Sequence, residues 1–278
     1  MSDGGVLCWV IALSCEAAPV RERYKLQRVQ GGPFPVYRST CGGHWLVESG
    51  IGRSNAAAAV MHLHHVSQAP RHAAWLNLGI AGHRDLPLGE ARLINQVVEQ
   101  STGRTFYPVQ LFTPPFLRAS LTTVDQVAEG MTDDGCYDME GSAVLDLASR
   151  LSSPELVALV KLVSDHGVQP GQYPKRSQVS AWIEAQMDDV DRMVEGLKAL
   201  SADEARRTGE PRGFTALIER AHFTVSQRHQ ARDLLRRCKA LGVGADLTSI
   251  IGDSRDAKWI LKRLADHLDG LEIDWAQG

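Results

Sequence analysis

The sequence predicts an α/β fold with a largely parallel or mixed sheet, followed by an all-helical tail. Three observations predict it. Short continuous apolar runs alternate with segments of helical periodicity over the first 200 residues. Glycine-rich turns stand beside several of those runs. Beyond residue 202 the strand signals stop and only helical patterns remain. The 278 residues amount to just under two domains at roughly 150 residues each. A hydrophobic content of 44% with 23% charged residues excludes a disordered chain, a collagen-like fibre and a coiled-coil rod. The net charge of −3 gives no global basic surface for nucleic acid.

Residues 6–13 form an apolar run that reads as a buried first strand. The stretch 6–19 lacks the cationic start of an export signal and carries Glu16. No apolar run approaches the roughly 20 residues that cross a membrane. Residues 34–40 and 44–48 flank Cys41-Gly42-Gly43 and predict a hairpin. Ser49-Gly50-Ile51-Gly52-Arg53-Ser54-Asn55 reads as a turn opening a helix, where backbone N–H groups face a ligand. Strands follow at 73–78 and 92–98, and a proline-bearing loop at 110–116. Residues 138–151 carry a helical stripe, 156–163 an apolar strand, and 178–200 one long amphipathic helix. A charged linker is expected at 203–213, then helices at 214–221, 222–241 and 256–268. The domains expected are 1–202 and 203–278.

Three acids stand where ligand chemistry is expected. Glu16 follows the first strand, Glu140 opens the helix of 138–151, and Asp165 follows the strand of 156–163. Ligands of α/β proteins bind beyond the carboxyl ends of strands. The segment Gly79-Ile80-Ala81-Gly82 ends another strand and supplies backbone without bulk.

Five strings, in order across about residues 5–200, together resemble one family. They are the early acid Glu16, Gly50-Ile51-Gly52-Arg53-Ser54-Asn55-Ala56, Asn77-Leu78-Gly79-Ile80-Ala81-Gly82 with Gly89-Glu90, Asp138-Met139-Glu140-Gly141, and Ser164-Asp165. The chain resembles the nucleoside phosphorylase/nucleosidase superfamily, and within it the methylthioadenosine/S-adenosylhomocysteine nucleosidases. The resemblance implies a three-layer sandwich around a central mixed sheet. It implies hydrolysis of the N-glycosidic bond of a 5′-modified adenine nucleoside. Glu16 then activates water, Asp165 protonates N7 of the purine, Glu140 holds the ribose hydroxyls and Met139 packs on the sugar. Ile51, Ala81, Gly82, Val127 and Ala128 are the further substrate-binding positions it implies. The family's aromatic stacking residue is missing from Thr122-Thr123-Val124-Asp125-Gln126-Val127-Ala128. Val127, or Phe112 or Phe116 from the preceding loop, is expected to replace it. No metal or organic cofactor is implied, and a homodimer is.

The rival readings are a phosphorylase and a catalytically silent nucleoside-binding module. A phosphorylase needs a cationic cradle, and Arg53 and Arg84 are the arginines near the motifs. An acid that protonates the leaving base must itself hold a proton near neutral pH, which burial or a neighbouring anion favours. His62, His64 and His65 read as solvated helix histidines, since no acid or cysteine joins them. The odd count of five cysteines, without a CxxC pair, fits reduced thiols in a cytoplasm. In the tail Arg228, Arg232 and Arg236 share one helix face. A solvated face or an acidic protein partner is favoured there over nucleic acid.

Overall fold

The computed structural model describes residues 5–126, 131, 134–167, 173–242 and 247–271. The elements run in the order β1 (Leu7–Ile11), α1 (Ser14–Arg23), β2 (Gln27–Val29), β3 (Val36–Arg38), β4 (His44–Glu48) and α2 (Arg53–Ser67). Then come β5 (Ala74–Gly82), β6 (Ala91–Glu99), β7 (Thr105–Phe106), β8 (Arg118–Thr123), β9 (Cys136–Asp138), α3 (Gly141–Leu151) and β10 (Val157–Asp165). The helices α4 (Arg176–Ala185), α5 (Met187–Thr208), α6 (Phe214–Arg220), α7 (Val225–Ala240), α8 (Leu247–Ile251) and α9 (Ala257–Asp269) complete the chain. The chain divides into two compact units, Met1–Arg206 and Arg207–Gly278.

The first unit is an α/β sandwich around one mixed sheet. β1 lies parallel to β4 on one side and to β5 on the other. β5 lies parallel to β10, and β10 antiparallel to β6. β6 and β8 are parallel, as are β8 and β9, and β9 returns to β5 at Gly82 and Tyr137. Five strands therefore close on themselves, so β5 and β10 have no open edge.

Alternation along each strand divides the core into two layers. Leu7, Trp9 and Ile11 face α1, α4 and α5, whose Val20, Ile183 and Val190 bury against them. Cys8 and Val10 face α2 and α3, whose Val60, Leu63 and Leu145 fill the other side. Strands buried on both faces read as unbroken apolar runs, which is why β1 and β10 were legible in the sequence. The expected hairpin is β3–β4, paired antiparallel from Val36–Val47 to Arg38–Trp45.

Three local expectations are revised. Asp138 ends β9, and the helix begins at Gly141 because Asp138 Oδ2 accepts the Gly141 N–H, as a residue flanking a helix start does (2.8 Å). The helix expected over 178–200 is two helices, α4 and α5, which meet at Gln186. There the Gln186 side chain donates to the Gly89 carbonyl (3.3 Å). The charged stretch from 203 continues α5 to Thr208, because Asp203 and Arg206 pair three residues apart on one face.

The second unit, α6 to α9, has its own core of Phe214, Leu217, Leu235, Ile260 and Leu264. Arg232 pairs with Glu210 (2.7 Å) and lies over the Phe214 ring. Arg236 donates to the Thr208 carbonyl (2.5 Å), and Arg228 to that of Phe223 (3.3 Å). The three arginines of the shared face thus serve their own unit. Asp256 caps α9, accepting from Lys258 N (2.8 Å) and Trp259 N (3.1 Å). Asp256→Ala is expected to cost about 1 kcal/mol in chemical denaturation of the full chain, the usual loss on removing an N-cap.

Candidate active site

Beyond the carboxyl ends of β1, β5 and β10 lies a cavity of about 550 Å³. It is lined in part by Leu13, Glu16, Ile51, Ala81, Gly82, Met139, Glu140 and Asp165. Seven of the nine sequence-predicted positions are therefore brought to one cavity. Val127 and Ala128 lie outside the described residues. The expected substitutes Phe112 and Phe116 do not line the cavity. Phe112 packs on the apolar core beside Gly196, and Phe116 is buried in that core. The aromatic rings that do line it, among the described residues, are Tyr137 and Tyr173.

Glu16 stands in the first turn of α1, where an acid favours the helix dipole. Its Oε2 accepts from Leu13 N (2.7 Å), closing the turn that leaves β1. Its Oε1 accepts from Ile80 N (2.8 Å) across on β5. One carboxylate thus ties two strand ends together. Burial pushes its carboxyl up to about 7, with Glu140 adding to the rise. The two N–H donors and Lys161 oppose it.

Glu140 sits between β9 and α3, and its Oε1 accepts from Gly52 N (2.7 Å). The turn 49–55 therefore spends that N–H on Glu140, whereas the sequence reading gave such groups to a ligand. Burial and the neighbouring Asp138 hold the Glu140 carboxyl above the usual range, against Lys161 and Gly52. Asp165 ends β10 just after an irregularity in its pairing with β5, the kind of feature that re-aims a side chain. Its Oδ2 accepts from Ser164 Oγ (2.7 Å) and its Oδ1 from Gly167 N (3.0 Å).

The residue that sequence reasoning missed is Lys161. It lies in the middle of β10, is 2% exposed, and pairs with Asp138 Oδ2 at 2.8 Å. Asp138 also accepts from Thr123 Oγ1 (2.7 Å) and Gly141 N. Burial works against the Lys161 ammonium, yet Asp138, Glu140 and Glu16 outweigh it and raise its pKa. The signal was present as one charged residue inside an otherwise apolar strand. Gly79 gives Glu16 and Lys161 room: an added Cβ would lie 3.2 Å from Glu16 Oε1 and 3.5 Å from Lys161 Nζ.

Arg53 pairs with Glu99 and Asp125, and Arg84 with Asp85 and Asp134. Neither lines the cavity; among the described residues the lining cation is Arg176, at the start of α4. Among the described residues no group of three or more His, Cys, Asp or Glu side chains is arranged to hold a metal ion.

The fold is shared with solved structures. A 5′-methylthioadenosine/S-adenosylhomocysteine nucleosidase from Colwellia psychrerythraea, solved with adenine, is 19% identical with a TM-score of 0.58. The match covers 70% of this chain and 96% of that one. A 5′-methylthioadenosine nucleosidase from Arabidopsis thaliana is 18% identical, TM-score 0.58, covering 72% and 99%. A futalosine hydrolase from Helicobacter pylori is 10% identical, TM-score 0.53, covering 69% and 99%. At these identities the likeness is one of fold. No family model and no curated protein sequence matches the chain.

Two outcomes are expected. Lys161→Met leaves buried carboxylates without their cation and is expected to cost about 3–5 kcal/mol of stability near pH 8. The deficit is expected to shrink toward pH 5, where those acids protonate; denaturation at the two pH values checks it. Gly82→Ala puts a Cβ against the Met131 side chain, at its Cε, and 3.0 Å from Asp165 Oδ1. It is expected to displace the Asp165 side chain, read as a shift of its carboxyl carbon-13 signal, while the helical signal in circular dichroism is kept.

Proposed function

We propose that the protein is a purine nucleosidase, hydrolysing the N-glycosidic bond of a 5′-modified adenine nucleoside to free base and ribose product. The convergence of Glu16, Glu140 and Asp165 on one cavity carries this reading. The fold shared with methylthioadenosine nucleosidases supports it.

N-glycosidic cleavage passes through an oxocarbenium-like sugar, so carboxylates beside C1′ stabilise the developing positive charge. Glu16, anchored by two N–H groups, accepts a proton from the attacking water. The water oxygen bonds to C1′ as the C1′–N9 pair leaves with the purine. Asp165 delivers a proton to N7 of that departing base. Glu140, fixed by Gly52 N–H, accepts hydrogen bonds from the ribose hydroxyls. Met139 and Ile51 supply apolar contact to sugar and substituent, and Ala81 and Gly82 let the base lie against the β5 backbone. Val127 and Ala128 remain assigned to the purine side.

Water is favoured over phosphate as nucleophile because Arg53 and Arg84 are each occupied by two acids away from the cavity. That leaves Arg176 as the single lining cation among the described residues, less than the cluster of arginines a phosphate cradle uses. The assignment divides the chain into a nucleosidase domain, 1–202, and a helical extension, 203–278. We assign the protein to a reducing cytoplasm on its five free cysteines, and a homodimer on the resemblance of its motifs to the nucleosidase family. Among the described residues no helix is long and apolar enough to cross a membrane.

Adenine release from methylthioadenosine in phosphate-free buffer is the expected result, followed by chromatography. Strict dependence on phosphate would establish the phosphorylase instead, and binding without release the silent module. Asp165→Asn and Glu16→Gln are each expected to lower kcat by at least about 10²-fold, the usual worth of an acid or base catalyst. A base must be ionised to act. With Glu16 pushed up to about 7, kcat/KM is therefore expected to rise with pH through a limb centred near 7.

A further inference from the structure

Away from the cavity, His44 sits in a buried polar cluster on the α1/α5 side of the sheet. Its Nδ1 accepts from the indole Nε1 of Trp9 at 3.3 Å, and Trp9 is fully buried. Tyr24 stacks on the imidazole, ring centroids 4.3 Å apart. On the opposite edge Lys198 Nζ lies 2.6 Å from Nε2.

The hydrogen count then has one solution. An indole nitrogen only donates, so Nδ1 carries no hydrogen. Neutral imidazole must place its hydrogen on Nε2, which donates to Lys198 Nζ. An ammonium has no lone pair to accept it, so Lys198 is an uncharged amine. The surrounding charges agree. Asp191 is engaged by Arg23 (2.9 Å) and by the Tyr24 hydroxyl. Among the described residues no carboxylate pairs with Lys198. Burial disfavours the ammonium, and among the described residues Cys41, in the turn before β4, is the group whose charge acts the other way. Burial, followed by any positive charge on Lys198, pulls His44 down to about 4 against Asp191, so the imidazole itself is neutral. Lys198 is only partly buried.

We propose that Lys198 is held as a free amine by His44 and is a nucleophilic modification site for small aldehydes. The Nζ lone pair bonds to the carbonyl carbon. The carbonyl oxygen then leaves as water with the two amine hydrogens, giving an imine. An ordinary lysine is only about 0.1% uncharged at pH 7.5, which separates this site from the rest of the surface.

The test is reductive alkylation of the full chain with acetaldehyde and cyanoborohydride, read lysine by lysine by peptide mass spectrometry. At pH 7.5 Lys198 is expected to react at least about tenfold faster than exposed Lys25 and Lys258, and that lead is expected to shrink to about twofold by about pH 10.5, where ordinary lysines are about half uncharged. Trp9→Phe removes the donor that fixes the tautomer and is expected to abolish the lead. A Lys198 rate at or below those of Lys25 and Lys258 at pH 7.5 overturns the proposal. A lead that survives Trp9→Phe overturns it too. If Trp9→Phe does not fold, the pH profile of the unaltered chain decides alone.

Discussion

The ammonium of Lys161 is held where water does not reach, and the first unit is organised around that fact. An unpaired charge there would cost several kcal/mol, so the fold must bring acids to it. Asp138 pairs with it directly. Glu140 and Glu16 lie close enough to bias its titration, and it biases theirs in return. Three acids from two separate parts of the chain are thus gathered by one cation. Remove it, and they would repel one another and take up protons on folding.

The sheet makes this gathering rigid. β10 carries Lys161 in its middle and Asp165 at its end, and it is paired on both sides. Glu16 bridges the end of β1 to β5, so its position follows the parallel register of those strands. Asp138 closes β9 and starts α3 through Gly141 N–H, which fixes Glu140 two residues on. Each acid therefore has a structural duty, as strand bridge or helix start, and still faces the cavity. The bland reading of such residues as caps and the chemical reading describe the same atoms.

This double duty explains what the sequence made legible. Glu16, Glu140 and Asp165 stood beside strand and helix boundaries, and boundary chemistry is local, so they were visible without a fold. Buried strands were visible as apolar runs for the same reason. Lys161 looked like a blemish in such a run, because its partners are more than about 20 residues distant and only strand pairing joins them. The break at Gln186 was hidden, since apolar periodicity continues across it through Ile183 and Met187. The missing aromatic could not be located from spacing; Tyr137 and Tyr173 reach the cavity through the β5–β9 pairing and the approach to α4.

The account depends on Lys161 and burial together setting the protonation of Glu16. The most direct measurement is titration of the Glu16 carboxyl by carbon-13 NMR, in the unaltered chain and in Lys161→Met. The account predicts a midpoint near 7 in the first and a higher one in the second. A midpoint near the ordinary 4.5, unmoved by loss of the lysine, would contradict it.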